Sequence, residues 1–206
     1  SGLQLDSRLV KEGDLFIALF GRNQDGRDFI PQAIAAGAAA VFVEASDSWS
    51  GTSFQSETPV VAIDDLAAKT SGIAARFFAY PSKRLSVTGI TGTNGKTSCA
   101  LFLSRALNAL GKQSGSIGTL GYGPIDALQT TELTTPDAIS VQRMLFELAA
   151  QGLDSVAMEV SSIGLHQRRV QAVEFDTAVF TNLTRDHLDY HGTMDAYGAS
   201  KKKLFL

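Results

Sequence analysis

The sequence predicts an α/β fold in two parts: a small amino-terminal α/β unit over residues 1–83, then a phosphate-loop-type, mostly parallel sheet with flanking helices over 84–206. Three observations carry this expectation. Short apolar, β-branched runs alternate with segments of helical apolar spacing, as parallel strands joined by crossover helices require. The stretch Tyr80-Pro81-Ser82-Lys83-Arg84 interrupts that alternation, and proline with its preceding residue disfavours helix. Beyond it, Val87-Thr88-Gly89-Ile90 runs into a glycine-rich turn that opens a helix at Lys96-Thr97.

The elements follow in order. Glu12-Gly13-Asp14 is a turn signal, and the apolar run Leu15 to Phe20 after it reads as a buried strand. Asp28-Phe29-Ile30-Pro31 opens an alanine-rich helix that stops at Gly37, early proline and terminal glycine suiting its two ends. Ala39–Val43 and Val60–Ile63 read as strands, and the Ser/Thr-rich stretch 46–58 between them as a loop. Asp65–Phe78 has helical spacing, with Leu66, Ile73 and Phe77 near one face. In the second part, a strand over Leu85–Ile90 precedes a helix over Lys96–Leu110, and a further strand is expected around Ser116–Leu120. A helix follows Thr135-Pro136-Asp137, with Thr135 as its expected N-cap and Ala138, Val141, Leu145 and Leu148 at helical spacing. Ser155–Val160 and Ala178–Thr181 read as short strands, and Asp195 onward as helix.

Composition narrows the function. The chain has 206 residues, 44% hydrophobic and 19% charged, enough apolar content for a packed core and unlike a disordered chain. A net charge of −3 and a pI near 5.6 argue against nucleic-acid binding through bulk positive charge. No apolar run approaches the ~20 residues that span a bilayer. The start, SGLQLDSR, lacks the basic and apolar regions of a signal peptide. A single cysteine, Cys99, excludes an internal disulfide, and its place on an apolar helix suggests a small buried hydrophobe without chemistry. A cytoplasmic globular chain that contacts neither membrane nor nucleic acid is expected.

The segment Thr91-Gly92-Thr93-Asn94-Gly95-Lys96-Thr97-Ser98 carries the most chemistry. Successive amides of such a turn can converge on phosphate oxygens, and the following helix N-terminus adds positive potential. Gly92 and Gly95 allow the backbone angles, Lys96 would reach the β- and γ-phosphates, and the Thr97 hydroxyl would ligate Mg²⁺. The usual pattern has a further glycine where this chain has Ile90.

This loop resembles the ATP loop of the Mur ligases, which tolerate that departure. Leu5-Asp6-Ser7-Arg8, Gly13-Asp14-Leu15-Phe16, Asp25-Gly26-Arg27, Thr134-Thr135-Pro136-Asp137, Glu159-Val160-Ser161-Ser162 and the run Asn182 to Gly192 narrow the resemblance to the UDP-N-acetylmuramoyl-tripeptide synthetase branch. It extends from end to end of the chain, with the motifs in the family's order. The resemblance implies a UDP-substrate-binding domain over 1–83 and the first part of a central ATP-binding domain over 84–206. It implies an ATP-dependent ligase that adds meso-diaminopimelate or L-lysine to UDP-N-acetylmuramoyl-L-alanyl-D-glutamate through an acyl phosphate, in peptidoglycan synthesis. Family members are considerably longer, so these residues alone are expected to bind ligands weakly and not to turn over. A monomer is expected.

The resemblance also implies site residues. Glu159 follows the apolar strand Val156-Ala157-Met158, at the sheet edge where the phosphate loop lies, and a carboxylate there suits Mg²⁺. His187 takes the place of a histidine that helps hold a second metal ion, and Lys201 that of a lysine carbamylated by CO₂ into an anionic metal ligand. His191 receives no catalytic assignment. Leu5 and Ser7 map near the uracil end of the substrate, with Arg22, Asn23 and Gln24 beside them. Thr134, Thr135, Ser161, Gln167 and Arg169 map to contacts with the muramoyl peptide. A guanidinium fork at Arg169 suits diphosphate or carboxylate oxygens. Other readings are a cyanophycin-synthetase-like or folylpolyglutamate-synthase-like ligase, and a non-catalytic phosphate-loop module.

Overall fold

The computed structural model describes residues 1–21, 24–45 and 57–206. Arg22, Asn23 and most of the expected 46–58 loop lie outside the described residues. Backbone contacts divide the chain into two compact units, Ser1–Thr70 and Ser71–Leu206.

The first unit is built on four parallel strands in the order β1 (Leu3–Gln4), β2 (Leu15–Ala18), β3 (Ala40–Glu44) and β4 (Val60–Ile63). Helix α1 (Ile30–Ala35) follows β2, and α2 (Leu66–Phe77) follows β4. Phe16, Ala18, Ile30, Ala33, Val41 and Val43 form its core. Pro31 sits in the first turn of α1, as expected, where a missing N–H costs nothing. The two-residue β1 is too short to leave a pattern in sequence.

The motifs Asp6-Ser7-Arg8 and Asp25-Gly26-Arg27 fold alike. In each, the aspartate caps a short 3-10 turn by accepting from the arginine's own backbone N–H, at 2.9 and 3.0 Å, and forms an ion pair with its guanidinium. Hydrogen bonds from Arg8 and Arg27 hold both carboxyls below the usual aspartate range.

The second unit is a five-stranded sheet in the order β7-β6-β8-β5-β9. Strands β5 (Ser86–Thr91), β6 (Ser114–Gly118), β8 (Ser155–Glu159) and β9 (Thr177–Phe180) run parallel; β7 (Gly121–Pro124) turns back antiparallel on β6. Every residue of β8 is buried, which explains its continuous apolar run. Helices α3 (Lys96–Ala109) and α4 (Ala138–Ala150) flank the sheet, and Val87, Ile117, Leu145, Leu148, Val156 and Met158 anchor one core. Short helix α5 (Ser162–His166) follows β8, and α6 (Leu188–His191), α7 (Met194–Lys202) and a 3-10 turn over Lys203–Phe205 follow β9.

Two expectations need correction. The N-cap of α4 is Asp137, whose carboxylate accepts from Ile139 N (2.9 Å) and Ser140 N (3.0 Å). An aspartate caps as well as a threonine and adds charge favourable to the helix dipole. Thr135 is instead buried, with its hydroxyl committed elsewhere. Cys99 is exposed: it lies on the solvent side of the first turn of α3, next to buried Ala100.

Candidate functional site

Parallel strands carry their ligands at the crevice beyond their carboxyl ends, and the second unit gathers its chemistry there. Ile90 of β5 and Glu159 of β8 are partners in register, so the phosphate-loop segment and the carboxylate leave the sheet side by side. Gly92 holds φ at +147°, and a Cβ there would collide with the Thr181 hydroxyl. Gly95, with φ at +84°, is the N-cap residue of α3. The turn is pinned from beneath by Asn182. Its carbonyl accepts from Thr93 N (2.9 Å), its side-chain oxygen accepts from Asn94 N (3.1 Å), and its amide donates to Asn94 O (3.1 Å). Those two amides are therefore engaged within the protein. The amides left for an anion are those of Lys96, Thr97 and exposed Ser98, which lack carbonyl partners in the first turn of the helix.

Glu159 is 2% exposed and fully engaged. Oε2 accepts from Thr97 Oγ1 at 2.9 Å, and Oε1 accepts from Thr119 N at 2.8 Å. Thr119 Oγ1 adds a longer bond at 3.3 Å and lies 3.0 Å from Thr134 Oγ1. Gly118 leaves room for this carboxylate, because a Cβ there would press within 2.7 Å of Glu159 Cδ and Cγ. Thr97 and Glu159 thus form an oxygen pair that fits Mg²⁺, which takes one or two protein oxygens and completes its shell with phosphate and water. Among the described residues, no group of three or more His, Cys, Asp or Glu side chains is gathered into a metal cage.

Two lysines converge on the loop. Lys96 Nζ donates to Gly92 O (2.9 Å) and Thr93 O (2.8 Å), and Lys201 Nζ donates to Gly92 O at 2.7 Å. Lys201 is 2% exposed and lies over the Tyr197 ring, 4.4 Å from its centroid. Burial, reinforced by the Lys96 charge, pulls its ammonium down to about 8, against the pull of Asp186. Burial also lowers Lys96, with Glu159 and Asp186 opposing. Tyr197 ties the group together, since its hydroxyl lies 3.1 Å from Thr93 Oγ1 and its ring meets His187 at 6.0 Å. His187 itself is exposed, with φ at +51° and Nε2 3.6 Å from Asp186 Oδ2. Among the described residues, no hydrogen bond or ion pair joins it to Glu159.

The expected muramoyl-peptide residues lie around the same edge. The Thr135 hydroxyl donates to Glu159 O (3.0 Å) and accepts from Ser161 N (2.9 Å), while Ser161 caps α5 through Gly164 N. Arg169 donates to Thr135 O at 2.6 Å and through two nitrogens to Gln167 Oε1. Burial lowers its guanidinium, opposed by Asp137. Gln167 in turn donates to the Tyr190 hydroxyl at 3.1 Å.

In the first unit, Leu5, Ser7 and Gln24 line a cleft of about 600 Å³ with Ile17, Phe29 and Gln32. Ser7 Oγ donates to Gln32 Oε1 at 2.8 Å. Leu5 follows β1, placing the cleft at the carboxyl end of that strand.

Sequence reasoning passed over Gly118, Thr119, Asn182 and Tyr197. The signal for Asn182 was present, since it opens the very run that carried the resemblance. Thr119 lay in an expected strand that ends earlier, at Gly118, freeing its N–H to cap a carboxylate.

Comparison with known proteins places this geometry. The model for the Mur ligase middle domain matches residues 90–206, and that for the Mur ligase family, catalytic domain, matches residues 1–78. A UDP-N-acetylmuramoyl-L-alanyl-D-glutamate–2,6-diaminopimelate ligase of Coxiella burnetii is 51% identical over 203 residues, and one of Pseudomonas aeruginosa is 53% identical. Each comparison covers 98% of this chain and 41% of the relative, so the chain spans about two-fifths of the curated relatives it matches. A solved structure of such a ligase superposes with a TM-score of 0.83 at 33% identity, over 99% of this chain and 40% of that one. MurF ligase from Thermotoga maritima shares the fold alone, with a TM-score of 0.65 at 22% identity over 98% of this chain and 42% of that one. The α/β fold with its parallel sheets, the loop closed over Lys96 and the two matching models agree: this chain belongs to the Mur ligase family.

Proposed function

We propose that the protein to which this chain belongs is an ATP- and Mg²⁺-dependent ligase that joins meso-diaminopimelate to UDP-N-acetylmuramoyl-L-alanyl-D-glutamate in peptidoglycan synthesis. The relatives at 51–53% identity are 2,6-diaminopimelate ligases, which favours diaminopimelate over lysine. Residues 1–83 serve as the UDP-substrate domain and 84–206 as the first part of the ATP-binding domain. The protein acts as a cytoplasmic monomer; no helix of the described residues is long and apolar enough to cross a membrane.

The single observation that carries this reading is the 2.9 Å contact of Thr97 with buried Glu159, at the head of the helix that begins with Lys96. An anionic carboxylate must approach an anionic triphosphate, and cations with oriented amides lower that barrier. Lys96, released from the Gly92 and Thr93 carbonyls, would neutralise the β- and γ-phosphates, while the amides of Lys96, Thr97 and Ser98 hold their oxygens. Gly92, Thr93, Asn94 and Gly95 set the loop's curve. Thr97 and Glu159 would hold Mg²⁺, which supplies charge neutralisation at the transferring phosphoryl group. His187 and Lys201 would hold a second metal ion. For that role the uncharged Lys201 amine would add to CO₂, forming an N–C bond and releasing a proton, to give an anionic carbamate.

In the reaction, an oxygen of the glutamate side-chain carboxylate attacks the γ-phosphorus, and the bond to ADP breaks. The amine of the diamino acid then attacks the acyl carbon, phosphate departs, and the nitrogen loses a proton. Arg169 and Gln167, with Thr134, Thr135 and Ser161, orient the peptide end. Leu5, Ser7 and Gln24, with Arg22 and Asn23, receive the uridine end. The test is phosphate release by the full-length protein. It should require ATP, the UDP-muramoyl dipeptide and diaminopimelate together, and the 206-residue chain alone should show negligible turnover. Equal release without the UDP-dipeptide would refute the substrate assignment.

A further inference from the structure

His191 stands one helical turn beyond His187 and has no part in the chemistry above. Its ring is nevertheless bonded on both sides. Nε2 lies 3.0 Å from Ser162 Oγ and Nδ1 lies 3.4 Å from Ser200 Oγ. Both serines are buried, at 1% and 4% exposure. Ser162 opens α5, three residues beyond Glu159, and Ser200 directly precedes Lys201 in α7. The ring is further walled by Tyr190, Tyr197 and His166, with centroids at 4.8, 5.4 and 6.0 Å.

Imidazole suits such a bridge. In its neutral form it offers one N–H donor and one lone pair on different sides of a rigid ring, and a serine hydroxyl rotates to complement either. The ring therefore fixes a separation between two helices that a flexible amide chain holds less firmly. The need for a brace is visible at Lys201. Its amine reaches the phosphate loop through one 2.7 Å bond to Gly92 O and lies over Tyr197 of its own helix. Its placement against the loop thus depends on where α7 sits.

We propose that His191 is a positioning residue: by bonding Ser162 and Ser200 at once, it ties the segment after Glu159 to the helix that presents Lys201, and so holds the Lys201 amine at the phosphate loop. As a role in catalysis this rests on the ligase reading above, while as a statement about Lys201 it stands on the geometry alone.

Two arms test it with His191→Leu, which removes both bonds, and His191→Gln, which keeps a polar atom near Ser162. In the full-length ligase, His191→Leu should lower kcat about 30-fold with KM for ATP within about twofold, as expected for a misplaced group rather than a lost binding contact. His191→Gln should recover to within about fivefold of the parent kcat. In the 206-residue chain, acetylation of Lys201 by acetic anhydride, read by mass spectrometry, should quicken about tenfold in His191→Leu and little in His191→Gln, because the amine leaves its buried place. Unchanged kcat and labelling in His191→Leu would overturn the proposal. So would equal losses in both variants with lowered thermal midpoints, which mark a packing role only. If the parent protein shows no ligation, the activity reading falls and the labelling ratio alone decides whether His191 braces Lys201.

Discussion

Gly118→Ala puts a methyl group against the carboxylate on which the candidate site depends. The added Cβ would stand 2.7 Å from Glu159 Cδ and Cγ, about 0.7 Å inside ordinary contact, and closer still to Oε1. Glu159 cannot yield cheaply: it is buried and accepts from Thr97 Oγ1, Thr119 N and Thr119 Oγ1. Overpacking of this kind costs about 1–3 kcal/mol, and weakening a charged hydrogen bond costs a similar amount. A total of about 2–6 kcal/mol corresponds to a fall of roughly 5–25 °C in the thermal midpoint of the unit that carries the sheet. Affinity for a Mg²⁺-bound, non-hydrolysable ATP analogue should fall at least about tenfold, as a displaced ligand oxygen no longer meets the ion. Differential scanning calorimetry and titration calorimetry on the 206-residue chain read the two effects separately. A variant with the parent's midpoint and the parent's nucleotide affinity would show that Gly118 does not seat Glu159, and the reasoning would fail.

Other outcomes follow from the same contacts. Thr135→Val keeps shape but strips the bonds to Glu159 O and Ser161 N, and urea unfolding should show a loss of about 1–3 kcal/mol. Lys201 titrates near 8 when folded against an ordinary 10.5, so the unfolded chain binds more protons between those values. Stability therefore rises with pH through that window, and the cost of burying the charge is complete below pH 8; against Lys201→Met, the gain should be roughly 1–3 kcal/mol by urea unfolding at successive pH values. A parent that shows no rise relative to Lys201→Met would contradict the buried amine. Cys99 should react with a disulfide reagent in the native state at one thiol per chain, since it is exposed; a thiol that reacts only on unfolding would restore the buried reading.

Most of the fold was legible because local and tertiary preferences agree. The middle of β8, Val156-Ala157-Met158, is apolar since both its faces are covered, and α3 starts where glycine turns into Lys96-Thr97. The misses are places where local preference was ambiguous. Thr135 and Asp137 are both good caps, and only the tertiary structure, which sends the Thr135 hydroxyl to Glu159 O and Ser161 N, decides between them. Cys99 read as buried because neighbouring residues are apolar, yet the helix turns Ser98 and Cys99 to solvent. The antiparallel β7 escaped notice because Gly121-Tyr122-Gly123-Pro124 carries little strand propensity; its place is set by pairing with β6. In the site, the expected amide cradle narrows to the first turn of α3, since Asn182 binds the amides of Thr93 and Asn94, a contact spanning 88 residues of sequence. Long-range hydrogen bonds of that kind leave no periodic trace.

The central claim is that the turn closing on Lys96, with Thr97 and Glu159, is a nucleotide and Mg²⁺ site. Titration calorimetry of the 206-residue chain and its Lys96→Ala variant with a non-hydrolysable ATP analogue, with and without Mg²⁺, tests it most directly. The parent should bind with Mg²⁺ and lose affinity without it, and Lys96→Ala should bind at least about tenfold more weakly, a difference of about 1.4 kcal/mol. Equal binding by both proteins, indifferent to Mg²⁺, would contradict the claim.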